Sequence, residues 1–274
     1  MALFDGEGFV MGVVVTDAEV TLADILSLRL AIDEPLEAGT ELLLRHRATG
    51  VERHVLIGSP GARAQEATLA VSLAPLELTA GRWDAYLRRD GARSRLRSID
   101  PGFSLDHLDA YALCQRTLAY RSYRTRNGYL ALKISEAGPA AEVRAIWFRE
   151  GRFEVTGLLA YTGLEDDDSR HEAVLTLDRR MTAARVSATA TVQGVRFHAA
   201  VSLVDVLAAD PDEAGTWEPA LEVAGVPTPL RLGTWLDDVD GKRRRLHYPS
   251  AVVDGVLIRP CYTADDELRI EVGG

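Results

Sequence analysis

The sequence predicts an all-β chain of two tandem sandwich-like, immunoglobulin-like domains with short or no helices. Three observations predict it: short apolar runs set apart by turn residues, a repeat shared by the two halves, and only two segments with any helical character. The runs are Val13–Val15, Leu42–Leu44, Ala67–Leu73, Val174–Leu177, Val186–Val192 and Val195–Val201. Stiff β-branched side chains pack well on a pleated surface, so such runs favour strands. Thr49-Gly50, Asp90-Gly91 and Gln193-Gly194 are turn steps between them. Strands at a spacing of roughly 8–12 residues suit sandwiches better than βαβ units. Residues 105–117 and 203–209 are compatible with helices; Leu105, Leu108, Ala112 and Leu113 share one helical face only loosely.

The repeat is carried by three ordered blocks. Arg121, Thr125, Leu130, Leu132 and Ile134 match Arg259, Thr263, Leu268, Ile270 and Val272 at one offset, 138 residues. Gly81, Trp83 and Leu87 match Gly215, Trp217 and Leu221 at an offset of 134, and Leu96-Arg97 is paired with Leu230-Arg231 at the same offset. Val71-Ser72-Leu73 matches Val201-Ser202-Leu203 at an offset of 130. The drift implies short insertions in loops, which tolerate them, between strands, which do not. The join falls in the small, Pro/Gly-bearing segment 136–141, giving a first domain at 1–138 and a second at 139–274. Trp83 and Trp217 each follow a turn glycine by two residues and open an apolar-rich segment, so both are expected in cores rather than on sugar-stacking surfaces.

Composition excludes some functions. A net charge of −10 and a pI near 5.2 argue against a dedicated nucleic-acid binder, which shows a basic face. No stretch reaches the roughly 18 apolar residues of a membrane span. The acidic N-terminal residues lack the pattern of a signal peptide, so a cytoplasmic location is expected. In that compartment Cys114 and Cys261 are expected as buried, unreactive thiols rather than a disulfide. Lys133 and Lys242 are the only lysines, and the arginine excess reads as genomic base composition with little functional content.

The second half carries a longer pattern: Gly215-x-Trp217, Leu230 to Gly233, Leu236 to Val239, Gly241-Lys242-Arg243, Tyr248-Pro249, Arg259-Pro260-x-Tyr262-Thr263 and Leu268 to Val272. This resembles the β-rich tandem accessory modules found beside the catalytic domains of actinobacterial teichoic-acid-type glycosyltransferases and glycerophosphotransferases. The first half, with Gly81-x-Trp83 and Tyr123-x-Thr125 before Leu130, is similar to the preceding unit of those proteins. The resemblance implies a non-catalytic role and a glycosyltransferase or anionic glycan as partner. It transfers no catalytic residue, because the resembling part is not the catalytic part.

The residues themselves point to no cofactor and no catalytic set. Six histidines stand outside any H-E-x-x-H or C-x-x-C context. Asp106, His107 and Asp109 are close in sequence but read as a solvated loop or helix face, and Glu165 to Asp168 as a solvated hairpin tip, so no metal site is expected. The distinctive segment is Asp237 to Tyr248, in which an acidic stretch and Asp240-Gly241 precede Lys242, Arg243, Arg244 and Arg245. Arginine forks match phosphate and carboxylate oxygens in pairs. The alternative is a charged hairpin whose arms pair with each other and protect a sheet edge. Trp235, Arg243, Arg244, Arg245 and His247 are the candidate binding residues, with Trp235 as a stacking surface. The function expected is an accessory module for a cell-envelope glycan or teichoic-acid-type transferase, acting by glycan binding or assembly. A protein–protein or homo-oligomerisation module is the runner-up, and an enzyme with a site between the repeats stays open.

Overall fold

The computed structural model describes residues 12–33, 36–57, 66–101, 108–210, 214–236 and 241–273. The chain is all-β, with three short α-helices among the described residues, and divides into two compact units. Unit 1 comprises Met1–Ser104 and Thr117–Ala137, and unit 2 comprises Leu105–Arg116 and Gly138–Gly274. No helix among the described residues is long and apolar enough to cross a membrane.

Unit 1 contains β1 (Val13–Val20), β2 (Ile25–Ile32), β3 (Glu41–His46), β4 (Glu52–Leu56), β5 (Glu66–Ser72), β6 (Gly81–Arg89), β7 (Ala92–Arg95), β8 (Arg97–Ser98), β9 (Leu118–Arg124) and β10 (Leu130–Glu136). One sheet runs β5-β2-β1-β8; the other runs β4-β3-β6-β10-β9, with β7 also paired to β6. The strands form for the expected reason. In β2, Leu26, Leu28, Leu30 and Ile32 alternate with Ser27, Arg29 and Ala31, and only the aliphatic set is buried. Those residues, with Val15 and Val71 from the same sheet, join Leu42, Leu44, Trp83 and Leu132 from the other in one core cluster.

Unit 2 contains α1 (Leu108–Leu113), β11 (Ala140–Arg149), β12 (Arg152–Ala160), β13 (Arg170–Arg179), β14 (Arg185–Gln193), β15 (Arg196–Ser202), α2 (Leu203–Ala209), β16 (Gly215–Val223), β17 (Leu230–Gly233), α3 (Lys242–Arg245), β18 (Ala251–Val253), β19 (Val256–Tyr262) and β20 (Leu268–Val272). Its strands form one sheet, β13-β14-β15-β12-β11-β17-β16-β20-β19-β18, in which β13 also pairs with β16. Seven of the strands, β11 to β17, therefore close a ring. The ring includes the hairpin between β14 and β15, in register from Ala190↔Ala199 to Gln193↔Arg196. In unit 1 the equivalent strands β4 and β5 are not paired among the described residues.

Apart from that link, and from β18, which pairs with β19 and has no counterpart among the described strands of unit 1, the two units share one connectivity, down to individual hydrogen bonds. Trp83 lies between His46 and Leu132 in the ladder, and Trp217 between Arg179 and Ile270. Leu73 N donates to Asp24 O at 3.0 Å, and Leu203 N to Gly151 O at 2.9 Å. Each β-hairpin before the last strand is anchored by a threonine. Tyr129 N donates to Thr125 Oγ1 at 3.1 Å, and Glu267 N to Thr263 Oγ1 at 3.2 Å. Both first hairpins carry a bulge, between Val15 and Asp17 and between Val143 and Ala145. One sequence match shifts. Ser98 N bonds Gly128 O as Thr234 N bonds Asp266 O, so Leu96 corresponds to Leu232 and not to Leu230.

A nitrogen-bearing side chain, His46 or Arg179, under each tryptophan strand explains the glycine before it. His46 Nε2 lies 3.2 Å from Ala80 O, and Arg179 Nη2 donates to Ala214 O at 2.6 Å. A Cβ on Gly81 would sit 2.2 Å from His46 Nε2, and one on Gly215 2.5 Å from Arg179 Nε. Gly81 also holds φ at +131°. Gly81→Ala is therefore expected to cost about 3 kcal/mol, from backbone strain and overpacking together. A thermal melt indistinguishable from the parent would remove that account of the glycine.

Candidate functional site

The segment singled out for binding lies at one end of unit 2, where β17 runs out, α3 follows and the β19–β20 turn closes over both. Asp237 to Asp240 lie outside the described residues. The predicted charged hairpin is replaced by a helical turn over its basic part. Gly241 adopts the left-handed conformation at φ +71°, and Lys242–Arg245 form α3. A helical turn of about 3.6 residues points the four successive cations in different directions. Lys242 is buried at 2% exposure, whereas Arg243, Arg244 and Arg245 are exposed.

Lys242 is the anchor rather than a ligand group. Its backbone N donates to Asp266 Oδ1 at 3.2 Å, and its Nζ lies 3.6 Å from Asp266 Oδ2. A charged ammonium in so buried a place requires such a counter-ion. The neighbouring residue of the same turn holds the indole: Trp235 Nε1 donates to Asp265 O at 2.9 Å. The ring lies against the backbone of Gly233, where a Cβ would approach it to 2.5 Å. The turn thus ties Trp235 and α3 to one support. Trp235 keeps 36% of its surface exposed.

Glu142 completes the support, and the sequence did not mark it. It is 2% exposed and accepts from Trp235 N at 2.7 Å and Leu236 N at 3.3 Å. A carboxylate taken from water is tolerated when donors replace its hydration. Register makes this a feature of unit 2 alone. The parallel pair Glu142↔Gly233 corresponds to Val14↔Arg97 in unit 1, where Ile99 stands at the place of Trp235.

The arginines differ in their neighbours. Arg243 is close enough to Glu271 to help hold that carboxyl below its usual range, the larger cause being the hydrogen bond from Arg259. Arg244 and Arg245 have no ion-pair partner among the described residues. His247 is exposed beyond them. Tyr248 packs behind, its hydroxyl 3.1 Å from that of Tyr262, whose ionisation is suppressed first by burial and then by that contact. Cys261, half-buried on β19, is pushed up to about 11, mainly by burial, and stays a neutral thiol at physiological pH. Cys114 and Cys261 are both free thiols.

The other acidic candidates are spent locally. Asp167 accepts from Ser169 N at 2.9 Å and Ser169 Oγ at 2.8 Å, bonds that lower its pKa. Asp166 pairs with Arg196, and Asp168 accepts from Gln193 Nε2 at 3.0 Å. Asp109 pairs with Arg144, while Asp106 and His107 lie outside the described residues. Among the described residues no three His, Cys, Asp or Glu side chains are grouped to hold a metal.

Neither a protein-family model nor a curated protein matches this sequence. Among solved structures, S. aureus TarS residues 217–571 align with a TM-score of 0.36 at 10% identity, over 69% of this chain and 55% of that one. Another S. aureus TarS structure aligns with a TM-score of 0.36 at 9% identity, over 72% and 37%. A tetra-tandem repeat from the extending region of a large adhesion protein aligns at 0.24 and 15% identity, over 80% and 47%. The chain spans about half or less of the length of each of these structures, and scores of this size do not establish a common fold.

Proposed function

We propose that the chain is a non-catalytic accessory module of a cell-envelope glycan or teichoic-acid-type transferase, and that unit 2 binds anionic glycan through Trp235 and Arg243 to Arg245. The observation that carries this reading is the shared support. Asp265 fixes the indole, Asp266 neutralises Lys242, and the three following guanidinium groups are left facing solvent. An indole left 36% exposed offers a surface for a sugar ring, and guanidinium forks offer paired donors to phosphate oxygens. The resemblance of residues 215–272 to transferase accessory modules points the same way. Duplication of one ancestral unit, with domains at 1–138 and 139–274, is supported by the equivalent hydrogen bonds of the two units and fits a scaffold specialised in its second copy.

Titration with a polyol-phosphate oligomer tests the reading. The parent chain is expected to bind it, and R243A/R244A/R245A to bind at least tenfold more weakly, with binding by the parent falling as salt screens the arginines. Trp235→Ala is expected to weaken binding of a glycosylated oligomer more than that of the bare polymer. A chain that ignores every such polymer, yet forms a defined oligomer by light scattering, would move the function to protein–protein assembly.

A further inference from the structure

We infer that unit 1 carries a second anion-binding surface, the outer face of its β4-β3-β6-β7 sheet region, suited to a linear phosphate polymer without bases. The inward residues of this sheet, such as Leu42, Leu44, Trp83 and Leu87, fill the core, so the intervening residues face outward. On β6 these are Arg82, Asp84, Tyr86 and Arg88. The register sets Arg93 of β7 opposite Arg88, and Arg95 opposite Tyr86. On the other side it sets Arg45 of β3 opposite Asp84, and Glu41 opposite Arg88.

Charge on this face opposes that of the molecule. Five arginines (45, 82, 88, 93 and 95) meet three carboxylates among the described residues, in a chain whose net charge is −10. Each carboxylate has at least two basic neighbours, Glu41 having His54 at 3.0 Å as its second. Asp84 lies 2.8 Å from Arg82 and 3.1 Å from Arg95; Glu52 lies 2.9 Å from Arg93 and 3.6 Å from Arg45; Glu41 lies 3.6 Å from Arg88. A guanidinium carries five N–H donors, so shared single contacts leave donors to spare. Arg95 is the exception: its Nε and Nη2 are buried, with Nη2 3.1 Å from Asp84, so it braces the face and leaves the ligand to the exposed Arg45, Arg88 and Arg93.

Aromatic rings hold Arg93 and Arg95 in place and bear on what the face binds. The Arg95 guanidinium lies 4.4 Å from the centre of the Tyr129 ring, and Arg93 lies 5.4 Å from that of Tyr86. Such stacking fixes long side chains before a ligand arrives, which lowers the entropy cost of binding. It also occupies the ring faces on which nucleobases would stack. Phosphate oxygens alone remain to be recognised, and arginine forks suit them. The side chains of Arg45, Arg88 and Arg93 keep 41%, 42% and 38% of their surface exposed.

This surface stands on different residues from the α3 site and is tested in its absence. In the full chain carrying R243A/R244A/R245A, long-chain inorganic polyphosphate is expected to bind still, and adding R88A/R93A is expected to weaken it at least tenfold. Arg88 and Arg93 are chosen because their exposure makes the variant fold; an unchanged thermal melt checks this, and R88K/R93K is expected to restore most of the affinity. Polyphosphate that fails to bind the α3 variant, or binds it equally with and without R88A/R93A, overturns the inference and leaves the α3 reading intact. Tighter binding of single-stranded oligothymidine than of polyphosphate at matched charge overturns the base-free assignment.

Discussion

Trp217→Ala is expected to unfold unit 2 at a markedly lower temperature, with a loss of about 3–5 kcal/mol, and Trp83→Ala to do the same to unit 1. The side chains are 1% and 0% exposed. Each removes roughly 150–250 Å² from water, worth on the order of 4–6 kcal/mol at most. Both sit at the centre of a ladder, with strands paired on either side, so the void cannot close by moving one edge. Trp83 also donates from Nε1 to Thr79 O at 2.8 Å, which alanine and phenylalanine both lose. Trp83→Phe should therefore recover part of the loss while falling short by about 1 kcal/mol for the hydrogen bond. Denaturant unfolding followed separately for the two units measures both. An unchanged transition in the alanine variants would show that neither ring fills a core.

Glu142→Ala is expected to cost about 2–4 kcal/mol, because it strands two donors, Trp235 N and Leu236 N, beside a residue that is 2% exposed. Glu142→Gln keeps one acceptor oxygen and should fall between alanine and the parent. The readout that separates this clamp from ordinary packing is Trp235 itself. Its emission should shift toward that of a solvated indole in Glu142→Ala before the global transition begins. An emission spectrum unaltered by Glu142→Ala would mean that Asp265 alone positions the ring.

Much of the fold was legible because burial of one sheet face writes itself as alternation, as in Leu268, Ile270 and Val272. The same period hid one error. Leu230 and Leu232 both point inward, so sliding the repeat by two residues keeps every side chain on its face, and the register is fixed by backbone pairing, such as the bond from Thr234 N to Asp266 O and the pair Glu142↔Gly233. The β14–β15 hairpin was legible, with Gln193-Gly194 between its two runs; that it helps close a ring was not, because the pairing of β13 with β16 joins strands far apart in sequence. At the candidate site, Trp235 and the arginines stood out by type. Glu142 did not, since a single glutamate in an apolar strand looks the same whether it faces water or two amides. The arginine–tyrosine face of unit 1 was invisible as well, because residues 45, 82, 88, 93 and 95 are gathered by strand register and not by spacing.

The short helix α1 bears on how the chain can be divided. It is encoded between β8 and β9 of unit 1, yet its Ala112 O accepts from Tyr161 N at 2.6 Å, and its Asp109 pairs with Arg144. The first half of the polypeptide thus lends a loop to the second. A scissor cut after Ala137, the natural place by sequence, would deprive Tyr161 and Arg144 of these partners. The halves are copies in plan but interlaced along the thread, so a faithful excision of unit 2 must carry residues 105–116 with it, as two pieces rather than one.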